Sequence, residues 1–127
     1  MTISNHILVV DDEPLICAIC ARILTSEANA VDTASSGTEG YERLETKTYN
    51  FCVLDIKMPG MSGIELYGYI RHAHPDLIGK VLFITGDTMS GNISQFLKDN
   101  SLIFLTKPFT PNELNDTIHS MMTRDPA

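Results

Sequence analysis

Short apolar runs with no polar interruption narrow the fold of this chain more than any other feature. They are Ile7-Leu8-Val9-Val10, Phe51-Cys52-Val53-Leu54 and Val81-Leu82-Phe83-Ile84. A strand with one wet face alternates apolar and polar residues, whereas a strand covered on both faces does not. Unbroken runs of this length therefore predict buried, parallel strands with helices on either side. The intervening segments have the matching helical period.

The reading along the chain is an alternation. "HILVV" (6–10) is the first strand. Pro14 to Glu27 is a helix, with Leu15, Ile16, Ile19, Cys20, Ile23 and Leu24 on its inward face. Pro14 suits a first helical turn, where its missing N–H is no loss. "AVDTA" (30–34) is a weaker strand, and 38–46 a polar helix carrying Tyr41 and Leu44. "FCVLD" (51–55) is the third strand. After the loop at Pro59-Gly60 and Ser62-Gly63, residues 64–72 form a helix through Ile64, Leu66, Tyr67 and Ile70. "KVLFIT" (80–85) is the fourth strand. Residues 92–99 form a helix weakened by Gly91, and "IFL" (103–105) is the fifth strand. Thr110-Pro-Asn-Glu113 is a capping box opening a last helix, whose Leu114, Ile118, Met121 and Met122 face the core. Five βα units give an α/β, doubly wound (βα)5 fold with a five-stranded parallel sheet. In such sheets the site lies at the carboxyl ends of the strands, near the point where strand order reverses.

A length of 127 residues fits one domain, 1–127, with its core between about 6 and 123. The formal net charge of −7, without a Lys/Arg cluster, argues against direct nucleic-acid binding. No apolar run is long enough to span a bilayer, and the N-terminus does not look like a signal peptide. We therefore expect a cytoplasmic domain with no membrane partner. Cys17, Cys20 and Cys52 are odd in number, and Cys17-Ala-Ile-Cys20 lies within a helix without a second ligand pair. Core packing explains them better than zinc. His6, His72, His74 and His119 form no ligand pattern; His72 and His74 near a helix end suit its dipole.

The strand ends carry the chemistry. Asp11 and Asp12 follow the first strand, Asp55 ends the third, Thr85 ends the fourth and Lys107 follows the fifth. All five should gather at one mouth. Three carboxylates there repel one another unless a cation joins them. Mg²⁺ takes one or two carboxylates together with waters and phosphate. Lys107 offers a point charge for phosphate, and Thr85 a hydroxyl donor. The set reads as phosphoryl chemistry, which depends on positioning and charge neutralisation. Asp55, on a central strand directly before a Pro-Gly loop, is the best candidate for an attacking carboxylate.

The stretches "ILVVDDEP", "VLDIKMPGMSG", "VLFITG" and "FLTKPF", in this order, resemble the response-regulator receiver domains of two-component signalling over essentially the whole chain. The resemblance implies a flavodoxin-like, CheY-like fold with strand order 2-1-3-4-5. It implies that Asp55 accepts a phosphoryl group from a phosphohistidine on a histidine kinase or histidine phosphotransfer protein. Mg²⁺ or Mn²⁺ would be held by Asp11, Asp12, Asp55 and the backbone carbonyl of Lys57. Thr85 and Lys107 would contact phosphoryl oxygens. Phe104 would be the switch aromatic that turns inward with Thr85, although a plain core role also fits it. The Lys107–Pro108 bond would be cis. Control would pass to a downstream protein or a fused output domain. The "TGD" turn and "FLTKPF" are similar to receivers of hybrid histidine kinases, and the chain fits a stand-alone regulator equally. Family members dimerise or bind targets through helix 4, strand 5 and helix 5, where Ile93, Phe96, Met121 and Met122 could contribute or could equally be core.

Two rivals are weaker. A phosphatase with an aspartyl nucleophile commonly has an acid two residues later, and here that place is Lys57. A flavin binder of this fold would favour a Ser/Thr/Gly loop after strand one, and here that loop is acidic. Lys57 and Asp87 could pair across the mouth and slow hydrolysis of an acyl phosphate, or stay separately solvated. Gly86 should leave the mouth open to a bulky donor.

Overall fold

A computed structural model describes residues 3–86 and 91–123. Its strands are β1 (Asn5–Val10), β2 (Asn29–Ala34), β3 (Phe51–Asp55), β4 (Val81–Thr85) and β5 (Ile103–Thr106). Its helices are α1 (Pro14–Leu24), α2 (Gly37–Thr46), α3 (Gly63–Ala73), α4 (Gly91–Asp99) and α5 (Pro111–Met122). The sheet order is β2-β1-β3-β4-β5, with every pair parallel. This is the expected flavodoxin-like order. The order reverses between β1 and β3, so the crevice opens there, at their carboxyl ends.

The unbroken apolar runs are covered on both faces. Leu8, Val10, Cys52, Leu54 and Phe83 face one cluster with Leu44, Leu66 and Ile70. Ile7, Val9, Val53, Leu82 and Ile84 face another, with Cys17, Cys20, Leu114 and Ile118. β3 and β4 are buried along their whole length, whereas β5, at the sheet edge, alternates. Tyr67, Phe83 and Phe96 pack edge to face at centroid distances of 5.5–5.9 Å, tying α3 and α4 to β4.

Several boundaries and faces differ from the sequence reading. α1 stops at Leu24, because Thr25 turns extended and its Oγ1 donates to Ala21 O at 2.6 Å. Leu15 and Ile19 do not face the core; they are 70% and 37% exposed. The helix buries Cys20 and Leu24, as expected, together with Cys17, which the sequence reading leaves off the inward face. The thiols are free and buried; burial raises all three, Cys20 and Cys52 to about 12, which suits packing rather than reactivity. α4 includes Gly91, one residue before the range read from the sequence. A 3₁₀ turn at Pro75–Leu77, which follows directly on His74, was not apparent from the sequence. The capping box at Thr110 and Glu113 is present, and Ser62 with Glu65 makes a second one on α3. Ile93 and Met121 are buried, and the half-buried Phe96 and Met122 pack against the two core clusters, so the apolar set nominated for the α4–β5–α5 face belongs mainly to the core. No helix among the described residues is long and apolar enough to cross a membrane.

Candidate functional site

Among the described residues, Asp11, Asp55 and Thr85 are the buried polar side chains, and all three lie at strand ends. Each is fixed by main chain. Asp11 N donates to Ala34 O at 3.1 Å, which extends the β1–β2 ladder by one residue. Glu13 N donates to Asp11 Oδ1 at 2.8 Å and so orients the carboxylate. Asp55 pairs with Ile84 in the β3–β4 register. Behind it, α3 starts so close that a Cβ on Gly63 would lie 2.1 Å from Asp55 O, a position only glycine can hold. Gly37 makes a similar approach to Met61 O, at 2.3 Å, and seats the β3–α3 loop on α2. Lys107 N donates to Thr85 O at 2.9 Å, and the Lys107–Pro108 bond is cis.

The side chains converge as the strand ends require. Lys107 Nζ lies 2.7 Å from Glu13 Oε1, 3.0 Å from Asp11 Oδ2 and 3.5 Å from Asp55 Oδ2. Ligand oxygens of Asp11, Asp12, Glu13 and Asp55 all lie within 4.8 Å of one another. Burial, then the Asp11 charge, pushes the Asp55 carboxyl up to about 7, while Lys107 pulls the other way. Burial also raises Asp11, opposed by the Glu13 N–H and Lys107. Burial alone would lower Lys107, but the hydrogen bond to Glu13 and the negative charges of Asp11 and Asp55 outweigh it and hold the ammonium charged.

The donor set fits a hard divalent cation. Asp11 Oδ2 is buried and, although Lys107 is near it, has no hydrogen bond of good geometry. An ionised oxygen in that condition carries an unmet demand for positive charge. Oxygen-only ligands on two strand ends suit Mg²⁺.

Of the residues singled out in the sequence, Asp11, Asp12, Asp55, Thr85 and Lys107 therefore share one mouth. Lys57 is exposed beside it, two residues past Asp55. Gly86 is exposed, and a Cβ there would meet nothing within 4 Å. Asp87 lies outside the described residues, and its pairing with Lys57 with it. Phe104 is 39% exposed, on β5 opposite Phe83, so in this structure it is not a core aromatic. Glu13 was not assigned a role from sequence. Only its position next to the two aspartates hinted at one, since its partner lies 94 residues away.

A parallel α/β domain with buried acids on its first and third strands, and a lysine after its fifth, is built as a receiver module. The chain belongs to the response regulator receiver domain family of two-component systems, whose profile matches residues 7–119. It is 32% identical over 121 residues to the transcriptional regulatory protein TcrA of Mycobacterium tuberculosis, covering 95% of this chain and 47% of that protein. It is 31% identical over 121 residues to the alkaline phosphatase synthesis transcriptional regulatory protein PhoP of Bacillus subtilis, covering 95% and 50%. The chain thus spans about half the length of these relatives. Among solved structures, it superposes with TM-score 0.82 on a CheY-like receiver domain protein from Methanospirillum hungatei, at 29% identity, covering 94% of this chain and 93% of that one. A receiver domain protein from Clostridium thermocellum gives 0.79 at 31% identity, covering 94% and 95%.

Proposed function

We propose that residues 1–127 form a single receiver domain that accepts a phosphoryl group on Asp55 and switches a partner or a fused output domain. The observation that carries this reading is the approach of Lys107 Nζ to 3.5 Å from the Asp55 carboxylate within a mouth of buried acids. Asp11, Asp12, Asp55 and the carbonyl of Lys57 would hold Mg²⁺ or Mn²⁺. The cation, when bound, neutralises carboxylate and phosphoryl charge. The donor is a phosphohistidine on a kinase or phosphotransfer protein. Its N–P bond breaks as a bond from an Asp55 carboxylate oxygen to phosphorus forms, and the imidazole keeps the electron pair. The nucleophile must be ionised; Lys107 already pulls the Asp55 carboxyl down and it still stands raised, so a bound cation would supply the remaining positive charge that favours the carboxylate near neutral pH. Thr85 and Lys107 contact phosphoryl oxygens more favourably in one conformation than in the other, which shifts the equilibrium between them. Phe104 follows Thr85 inward. Water later releases phosphate. The domain thus catalyses its own phosphorylation and slow dephosphorylation rather than turning over a substrate.

Phosphohistidine supply from a kinase puts this chemistry in the cytoplasm. The net charge of −7 directs output through protein rather than through direct contact with nucleic acid. Dimerisation or target binding on the α4–β5–α5 face would engage the exposed Phe104 ring, because Ile93 and Met121 are buried.

Incubation with acetyl phosphate, with and without Mg²⁺, tests the reading by intact mass. The expected result is one added phosphoryl group that requires both Mg²⁺ and Asp55, and is missing in Asp55→Ala. An adduct that survives in Asp55→Ala overturns the assignment. So does the lack of any adduct together with failure to bind beryllofluoride.

A further inference from the structure

Lys107 is engaged before any phosphoryl group arrives, and its shortest contact is not with the acceptor. Glu13 Oε1 lies 2.7 Å from Nζ, against 3.5 Å for Asp55 Oδ2. Glu13 occupies the N-cap position of α1, where a carboxylate commonly accepts from the helix's first N–H groups. It makes no such cap; its side chain turns to the lysine instead. Its main chain is fixed through the bond from Glu13 N to Asp11 Oδ1. Its carboxylate is not fixed: the side chain is 58% exposed, while Asp11 and Asp55 are at 0% and 6%. Of the three acids around Lys107, Glu13 is therefore the one that can leave.

We propose that Glu13 is a positioning residue that acts through Lys107: an internal carboxylate that holds the ammonium off the acceptor and must give it up when a phosphoryl group occupies Asp55. This rests on the phosphoacceptor reading above. The argument is competition for one cation. Lys107 has a single charge and a short list of partners. A phosphoryl group on Asp55 extends beyond the carboxylate towards the mouth, where Nζ would have to turn to meet it. Each conformation of Lys107 that serves Glu13 is withdrawn from the phosphoryl oxygens, so the observed affinity for a phosphoryl group falls by the fraction of Lys107 already engaged. Glu13 thus sets how readily the phosphorylated state is held, without itself touching the phosphoryl group.

The test is titration with beryllofluoride at saturating Mg²⁺, comparing wild type with Glu13→Gln and Glu13→Asp. Glu13→Gln removes the charge. Glu13→Asp keeps the charge but withdraws it by one methylene from Nζ. Competition for Lys107 predicts that both variants bind the anion more tightly, Glu13→Gln by about three- to fivefold, as fits a partly exposed pair. Glu13→Asp should fall between it and wild type. Tightening in Glu13→Gln alone would mean that the general negative charge of the mouth is responsible, and would overturn the proposal. No change in either variant, or weaker binding, would overturn it as well. If wild type itself fails to bind beryllofluoride, the phosphoacceptor reading has failed, which is a separate result from a wild type that binds while the variants match it.

Discussion

Asp55→Asn should make the metal-free protein more stable, although it removes the residue on which function depends. The Asp55 carboxyl rises from 3.8 in the unfolded chain to about 7 in the fold, chiefly because it is buried and next because Asp11 is near. A folded-state value above the unfolded one favours folding only while the group is protonated in both states. That condition holds below about pH 4. Between about 4 and 7 the unfolded chain ionises and the fold does not, so stability is lost as pH rises. Over the whole rise, from 3.8 to about 7, the loss is about 4 kcal/mol. Asn has the same shape and no charge. It leaves Lys107 with Asp11 and Glu13; the attraction of Lys107 for Asp55 is already contained in the raised value, and what offsets part of the gain is the new amide NH2 placed in a buried site beside the ammonium. We expect about 2–3 kcal/mol of net stabilisation at pH 7, or a Tm higher by roughly 5–10 °C for a domain of this size. Urea and thermal unfolding with chelator present, at pH 7, 5.5 and 4, would measure it. The difference between variant and wild type should shrink steadily towards pH 4, and Mg²⁺ should stabilise wild type more than the variant. A difference that does not vary with pH would refute the electrostatic account. So would a variant less stable than wild type at pH 7.

Gly63→Ala should destabilise by about 3 kcal/mol in urea unfolding, because the new Cβ would meet backbone, Asp55 O, rather than a side chain that can move; full tolerance would show that α3 can shift outward. Tyr49→Phe should cost about 1 kcal/mol by removing the 2.7 Å bond to Asp32 Oδ2. The bonds from Lys47 and Tyr49 lower Asp32, so their contribution is present above the ordinary carboxylate range and fades as pH falls below it. The stability gap between Tyr49→Phe and wild type should close in the same direction, and a constant gap down to pH 3 would argue against it.

The sequence showed the strands more clearly than the faces of the helices. Ile7 to Val10, and Phe51 to Leu54, could hardly be anything but buried parallel strands, because both sides of the chain are apolar there. The acids, hydroxyl and lysine directly after these runs were legible for the same reason: a strand end fixes where the next residue goes. α1 was harder. Its six apolar positions allow two overlapping stripes, and periodicity placed Cys20 and Leu24 inside but did not show that Cys17 would join them and leave Leu15 and Ile19 exposed. Phe104 was placed from a motif, but its outward position depends on β5 being an edge strand only four residues long. The contact between Glu13 and Lys107 is a matter of side-chain reach across the sheet, which no local pattern records. The Pro75–Leu77 turn was missed because it is a short connector between α3 and β4.

The seat of Gly63 against Asp55 O bears on how the chain can change over time. The carbonyl of the acceptor rests on the backbone of α3 and not on a side chain. Methyl groups may be added or lost in the two apolar layers, and the helices may settle by a few tenths of an ångström, yet the acceptor keeps its reference point because no variable atom stands between the two. The aspartate's placement is therefore insulated from drift in the core. The same contact makes position 63 nearly immutable, since its only acceptable substituent is hydrogen.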